Sequence, residues 1–223
     1  MTREKTAIID WNLIDTVLLD MDGTLLDKHF DDYFWEHYVP EVYAGQNNLS
    51  IAAAKKKLLD RYQSLEGTLA WTDLDYWSDN LGLDIPALKI KVNHLIAIHP
   101  YVPEFLKFCR TNGKKIYLVT NAHSKTLAIK MEKTALAGYF DRIICSEEIG
   151  VAKEDRGFWQ ILEDLLRFDR RRTMFADDTE RVLDSAATFG FGKLIFVAKP
   201  SSKVAVQHSD RYDSIEYFKE LLT

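Results

Sequence analysis

Asp20 and Asp22 stand one residue apart in Asp20-Met21-Asp22-Gly23-Thr24, directly after a short apolar run. At a strand-to-loop transition two such carboxylates can fan apart, so that one attacks phosphorus while the other handles protons. A carboxylate nucleophile gives an aspartyl-phosphate. Asp22 would protonate the leaving alcohol and then activate water. Gly23 lets the backbone turn closely around a phosphate whose oxygens nearby N–H groups can reach. Thr120 and Asn121 close a second apolar run, and the Thr120 hydroxyl can donate to phosphate. Lys153 can offset the charge that builds on a transferring phosphoryl group. Asp177 and Asp178 close a further run. Four carboxylates at one edge, Asp20, Asp22, Asp177 and Asp178, would repel and raise one another's pKa values unless a cation sits among them. An all-oxygen set suits Mg²⁺, a hard ion that keeps several waters and shares a substrate phosphate.

Taken singly, these residues have plainer readings. An isolated Asp-x-Asp-Gly-Thr is a solvated turn or a fragment of a calcium loop, but the further oxygen ligands and closing Glu of an EF-hand are missing. Thr120-Asn121 and Asp177-Asp178 alone are helix caps, and Lys153 alone is a surface lysine. Their joint order at successive strand ends outweighs those readings.

The elements that must position them alternate. Apolar β-rich runs cover Thr16–Leu19, Ile116–Val119, Arg142–Cys145, Thr173–Ala176 and Leu194–Val197. Helical patterns separate them: Pro103–Thr111 before Gly113, Ser124–Ala137 capped by Ser124 and stopped at Gly138, Gly157–Phe168, and Thr179–Phe189 before Gly190. Alternating strand and helix predicts an α/β fold, a doubly wound parallel sheet with right-handed crossovers. Such sheets bind ligands beyond the carboxyl ends of their strands.

Residues 30–97 break the rhythm with helical patterns only. These are Phe30–Ala44, Ser50–Glu66, a helix opened by a capping box at Thr72-Asp73-Leu74-Asp75 and ending at Gly82, and another begun by Asp84-Ile85-Pro86. An all-helical insert of about 70 residues is large for a crossover and predicts a separate small domain. The expected division is a core over residues 1–27 and 99–223 and a helical cap over 28–98. Tyr33, Phe34, Trp35, Trp71, Tyr76 and Trp77 lie in the cap; most are expected to build its core, with one or two free to stack on a base. Lys28, His29 and Asp32 near the hinge are candidate substrate neighbours, as is His123, although a loop histidine there is more often incidental. Lys55-Lys56-Lys57 reads as a solvated helix face.

The 223 residues are 47% hydrophobic and 28% charged, with a formal net charge of -5. That balance belongs to an ordinary globular chain and argues against binding a nucleic acid polymer. Two cysteines, Cys109 and Cys145, offer neither zinc spacing nor a disulfide framework. The first twelve residues hold no apolar stretch of secretory length, and no run reaches a membrane span. A cytoplasmic protein with no membrane partner, monomer or dimer, is expected.

The chain resembles the haloacid dehalogenase superfamily. Asp20-Met21-Asp22-Gly23-Thr24-Leu25 is similar to its first motif and Val119-Thr120-Asn121 to its second. Lys153 looks like the third, and Phe175-Ala176-Asp177-Asp178, with Asp184 downstream, like the fourth. The resemblance implies Asp20 as nucleophile, Asp22 as acid/base, and phosphate held by Thr120 and Lys153. It also implies Mg²⁺ on the Asp20 carboxylate, the Asp22 backbone carbonyl and the Asp177–Asp178 pair, under a mobile cap. The second aspartate favours phosphatases over dehalogenases. Val151-Ala152 before Lys153 depart from the proline many relatives carry there. A closer likeness is to bacterial GMP/IMP nucleotidases, on Leu18–Asp27, Phe30–Trp35, Leu74–Ser78 and Lys153–Asp155; it implies a 5′-nucleotidase on purine monophosphates. The alternatives are a sugar- or polyol-phosphate phosphatase, a phosphomutase, or, in another class, a receiver-like phospho-binding module. A receiver's acceptor follows a middle strand and lacks such an insert. A catalytically silent scaffold is the remaining reading, against which the constellation is complete.

Overall fold

The computed structural model describes residues 9–65 and 67–222. The expectation for the N-terminal segment therefore lies largely outside the described residues, as does the helix end at Glu66. Six strands form one parallel sheet: β1 (Thr16–Leu19), β2 (Lys115–Thr120), β3 (Arg142–Cys145), β4 (Thr173–Asp177), β5 (Lys193–Val197) and β6 (Asp213–Ile215), in the order β3-β2-β1-β4-β5-β6. The expected doubly wound α/β sheet is present.

Alternate residues of each strand enter opposite cores, as strand geometry requires. Val17, Leu19, Met174 and Ala176 join one cluster, while Leu18 and Phe175 join the other. Eleven α-helices are present among the described residues. α1 (His29–Tyr33), α2 (Val39–Asn47), α3 (Ile51–Leu65), α4 (Leu69–Thr72), α5 (Leu74–Leu81) and α6 (Ile85–Lys91) lie between β1 and β2, followed by α7 (Val102–Thr111). α8 (Ser124–Thr134) follows β2, α9 (Ser146–Ile149) and α10 (Arg156–Leu166) follow β3, and α11 (Glu180–Phe189) follows β4. Phe158, Trp159 and Leu162 of α10 and Val182, Leu183 and Ala186 of α11 fill one core; Phe105 and Leu106 of α7 fill the other.

The chain enters and leaves the α1–α6 insert by two neighbouring segments. Asp27 N–H donates to Ala97 O (2.9 Å) and His99 N–H to Leu25 O (2.9 Å). Within the insert, Phe34–Tyr38 winds as a wider π-type turn, with Val39 N–H reaching Phe34 O. Pro40 follows, and its missing N–H and crowding ring disfavour a regular α-turn there.

Several expectations are corrected. α8 stops at Thr134, because Ala135 takes a left-handed conformation (φ 54°) and lets Leu136 be buried. Its cap is His123, whose Nδ1 accepts from Lys125 N–H, and not Ser124. α5 is capped by Asp73, which accepts from the N–H groups of Asp75 and Tyr76, while Thr72 ends α4; no capping box forms. α10 ends two residues early, at left-handed Arg167. β6 was not expected: it is a three-residue edge strand in which only Ile215 is buried. Cys109 and Cys145 are both buried and free. Among the described residues, no helix is long and apolar enough to cross a membrane.

Candidate active site

β1 lies between β2 and β4, and Asp20 N–H donates to Ala176 O (3.0 Å), which holds Asp20 level with Asp177. Continuous apolar strands thus deliver Asp20, Thr120 and Asp177 to one sheet edge, all three buried. Oxygens of Asp20, Asp177 and Asp178 come within 4.8 Å of one another. Lys153, also buried, places Nζ 2.6 Å from Asp20 Oδ1 and 2.7 Å from Asp177 Oδ2. Lys28 Nζ lies 3.5 Å from Asp178 Oδ2.

Burial pushes the Asp20 carboxyl up to about 6, with Lys153 opposing and Asp177 reinforcing the rise. Asp177 and Asp178 are likewise pushed to about 6 by burial and by neighbouring carboxylates, against the pull of Lys153 and Lys28. Burial works against the charge on Lys153, yet Asp177 and Asp20 hold its pKa above the usual value. Two ammonium groups do not fully compensate these carboxylates. The donor set is all oxygen, compact and short of positive charge, so it fits a small hard divalent ion. Asp20, Asp177 and Asp178 would hold it.

The Asp22 side chain is not in that set. It turns toward α8, where Lys130 Nζ lies 2.5 Å from Asp22 Oδ1. Burial raises its carboxyl to about 6, offset by Lys130. Gly23 was expected to help hold phosphate, but its N–H donates to Leu26 O (2.8 Å). A Cβ at residue 23 would instead meet Asp178, so the glycine makes room for a carboxylate.

Asn121 is engaged at both ends of its amide. Nδ2 donates to Glu154 Oε2 (2.9 Å), and Oδ1 accepts from Lys153 N–H (3.0 Å). Its contacts hold the Lys153 loop and are not left open for phosphate. Ser185 Oγ also donates to Lys153 O (2.6 Å), so the loop is fixed without the proline. Thr120 Oγ1 accepts from Ala122 N–H. Asp184 lies outside this cluster, receiving hydrogen bonds from Arg211 and Tyr212.

A cavity of about 550 Å³ opens from these carboxylates toward the insert. Trp35, Tyr62, Trp71 and Lys89 line its far side; Lys28, Asp32 and His123 also border it, whereas His29 does not. Phe34 and Trp77 are core residues, as expected for most of the aromatics. Sequence reasoning missed Lys130, Asp31 and Lys89, which join Asp22 in a chain of charges whose two lysines are buried.

A family profile described as haloacid dehalogenase-like hydrolase matches residues 14–190. The chain is 37% identical to the GMP/IMP nucleotidase YrfG of Escherichia coli over 96% of each chain. It is 28% identical to the pyrimidine 5′-nucleotidase YjjG of the same organism, over 74% of this chain and 77% of that one. Among solved structures, a HAD phosphatase from Thermococcus onnurineus superposes with a TM-score of 0.79 at 19% identity, covering 93% of this chain and 96% of the other. With a relative this similar along nearly its whole length, and a profile that spans β1 to β4, the chain is an enzyme belonging to the haloacid dehalogenase-like hydrolase family.

Proposed function

We propose that this enzyme is a Mg²⁺-dependent phosphomonoester hydrolase that removes the 5′-phosphate of purine nucleoside monophosphates, GMP and IMP foremost, in the cytoplasm. The observation that carries it is the grouping of Asp20, Asp177 and Asp178 around the Lys153 ammonium, with Asp22 held apart from them. The Asp20 carboxylate attacks phosphorus as the bond to the ribose 5′-oxygen breaks, and Asp22 gives that oxygen its proton. Water then attacks the aspartyl-phosphate, Asp22 takes the water's proton, and the Asp20–phosphorus bond breaks to release phosphate. Lys153 offsets charge on the phosphoryl oxygens, Thr120 donates to them, and Asn121 keeps the Lys153 loop in place. Bound Mg²⁺ would supply charge neutralisation that lets a phosphate dianion approach a carboxylate.

Residues 28–98 form a cap domain over this edge, hinged at the paired segments near Asp27 and His99. The aromatic far side of the cavity suits a base, and its volume lies within the ordinary range for small-molecule sites. The preference for 6-oxopurines rests on the 37% identical relative named as a GMP/IMP nucleotidase. Phosphate release from GMP, IMP, a pyrimidine nucleotide and glucose 6-phosphate, each with Mg²⁺, tests the reading. Faster release from GMP and IMP is expected. Fast release from the sugar phosphate with none from nucleotides would reject it.

A further inference from the structure

We propose that Lys130, gripped between Asp22 and Asp31, is a positioning residue that aims the Asp22 carboxyl at the leaving oxygen, and that Asp31 and Lys89 tie this aim to the helical insert. The inference rests on the reading of Asp22 as proton donor. Lys130 Nζ, from α8, lies 2.5 Å from Asp22 Oδ1 and 2.5 Å from Asp31 Oδ2. Lys89 Nζ, from α6, lies 2.9 Å from Asp31 Oδ1 and sits over the rings of Phe34 (4.5 Å), Phe30 (4.9 Å) and Trp35 (5.5 Å). Both lysines are 1% exposed. Asp22, Lys130, Asp31 and Lys89 therefore alternate in sign and sum to no net charge when all are ionised.

A buried charge that loses its partner is strongly disfavoured. Rotating Asp22 away would leave Lys130 short of a carboxylate, so the chain restrains the Asp22 side chain to one direction. With Oδ1 gripped by Lys130, Oδ2 is the oxygen left to carry a proton toward the cavity that Asp22 lines. Asp31 belongs to α1 and Lys89 to α6, both in the insert, whereas Asp22 and Lys130 belong to the sheet side. Displacing the insert would pull one acid and one cation out of the chain. Asp22 is then held firmly only while the insert covers the site.

The test separates proton donation from general integrity of the site. The ribose 5′-oxygen of GMP needs a proton to leave, whereas p-nitrophenolate leaves without one. kcat/KM, which for this scheme reports steps through formation of the aspartyl-phosphate, is compared for GMP and p-nitrophenyl phosphate with Mg²⁺. Lys130→Met is expected to lower the GMP value about 10²-fold or more, the scale of a general acid's contribution, and to leave the p-nitrophenyl phosphate value unchanged. Asp31→Asn should show the same selectivity to a smaller degree, and it carries the comparison if Lys130→Met does not fold. Equal losses on both esters, or no loss on either, overturn the proposal. Release from neither ester by the unmodified enzyme would instead reject the phosphatase reading, and this inference with it.

Discussion

A Cβ on Gly23 would stand 2.3 Å from Oδ2 of Asp178. Residue 23 also has φ +85°, a conformation that glycine adopts without strain. Gly23→Ala should push Asp178 away from Asp20 and Asp177. The Mg²⁺ concentration for half-maximal phosphate release should rise about 10–100-fold, the usual effect of disturbing groups that orient metal ligands. An unchanged Mg²⁺ dependence would assign the tight approach to another purpose.

Lys153 bridges Asp20 and Asp177, so its removal leaves facing carboxylates uncompensated and the phosphate without its cation. Lys153→Ala should lower kcat/KM by about 10²–10³-fold, as loss of a preorganised charge-stabilising donor does. Asp20→Asn should abolish turnover with the fold retained by circular dichroism. Near-normal rates in either variant would break the assignment.

Stability should fall as pH rises through the carboxylate window. Asp20, Asp22, Asp177 and Asp178 are each raised from 3.8 to about 6 on folding. Between those values these four groups bind more protons in the folded chain than in the unfolded one, so raising the pH removes their share of stability until they are ionised. Burial lowers the pKa of His99, which acts in the opposite sense below its usual value. A comparison with Asp178→Asn isolates the acids. Metal-free thermal midpoints should decline from pH 4 to 7, less steeply in the variant. Mg²⁺ at a hundred times its Kd should restore about 2.7 kcal/mol at pH 7. A midpoint indifferent to Mg²⁺ at that pH would contradict the ion site.

Trp77 is 1% exposed, and its indole N–H donates to Trp71 O (2.8 Å). Trp77→Ala should cost about 3–5 kcal/mol in chemical denaturation. Trp71, at the cavity wall, should instead affect KM for GMP when replaced by alanine. Equal KM effects with little loss of stability at Trp77 would reverse these roles.

The five longer strands were legible because a strand covered on both faces is a continuous apolar run, and the acidic or hydroxyl ends of three of them, β1, β2 and β4, marked the chemical edge. β6 was not, since Asp213 and Ser214 carry no apolar signal and pairing with β5 alone defines it. Ala135 and Arg167 show tertiary burial of Leu136 and Phe168 overriding helical pattern. The charged chain behind Asp22 escaped notice because a helical lysine is read as solvated. Its trace was there: Lys89 falls four residues after Ile85 and one after Leu88, on the buried stripe of α6, and Lys130 falls four after buried Thr126 on α8. The amide of Asn121 was legible as polar but not as a tether, because its partners, Lys153 and Glu154, are distant in sequence.

The central place of β1 also bears on how the chain is made. Both of its neighbours are encoded later, β4 after the whole insert and two further strands. At synthesis rates of roughly 5–20 residues per second, β1 waits on the order of ten seconds for that partner. The β4-facing edge of this apolar strand must stay open on the ribosome for that time, so the insert has the opportunity to fold before the sheet is complete.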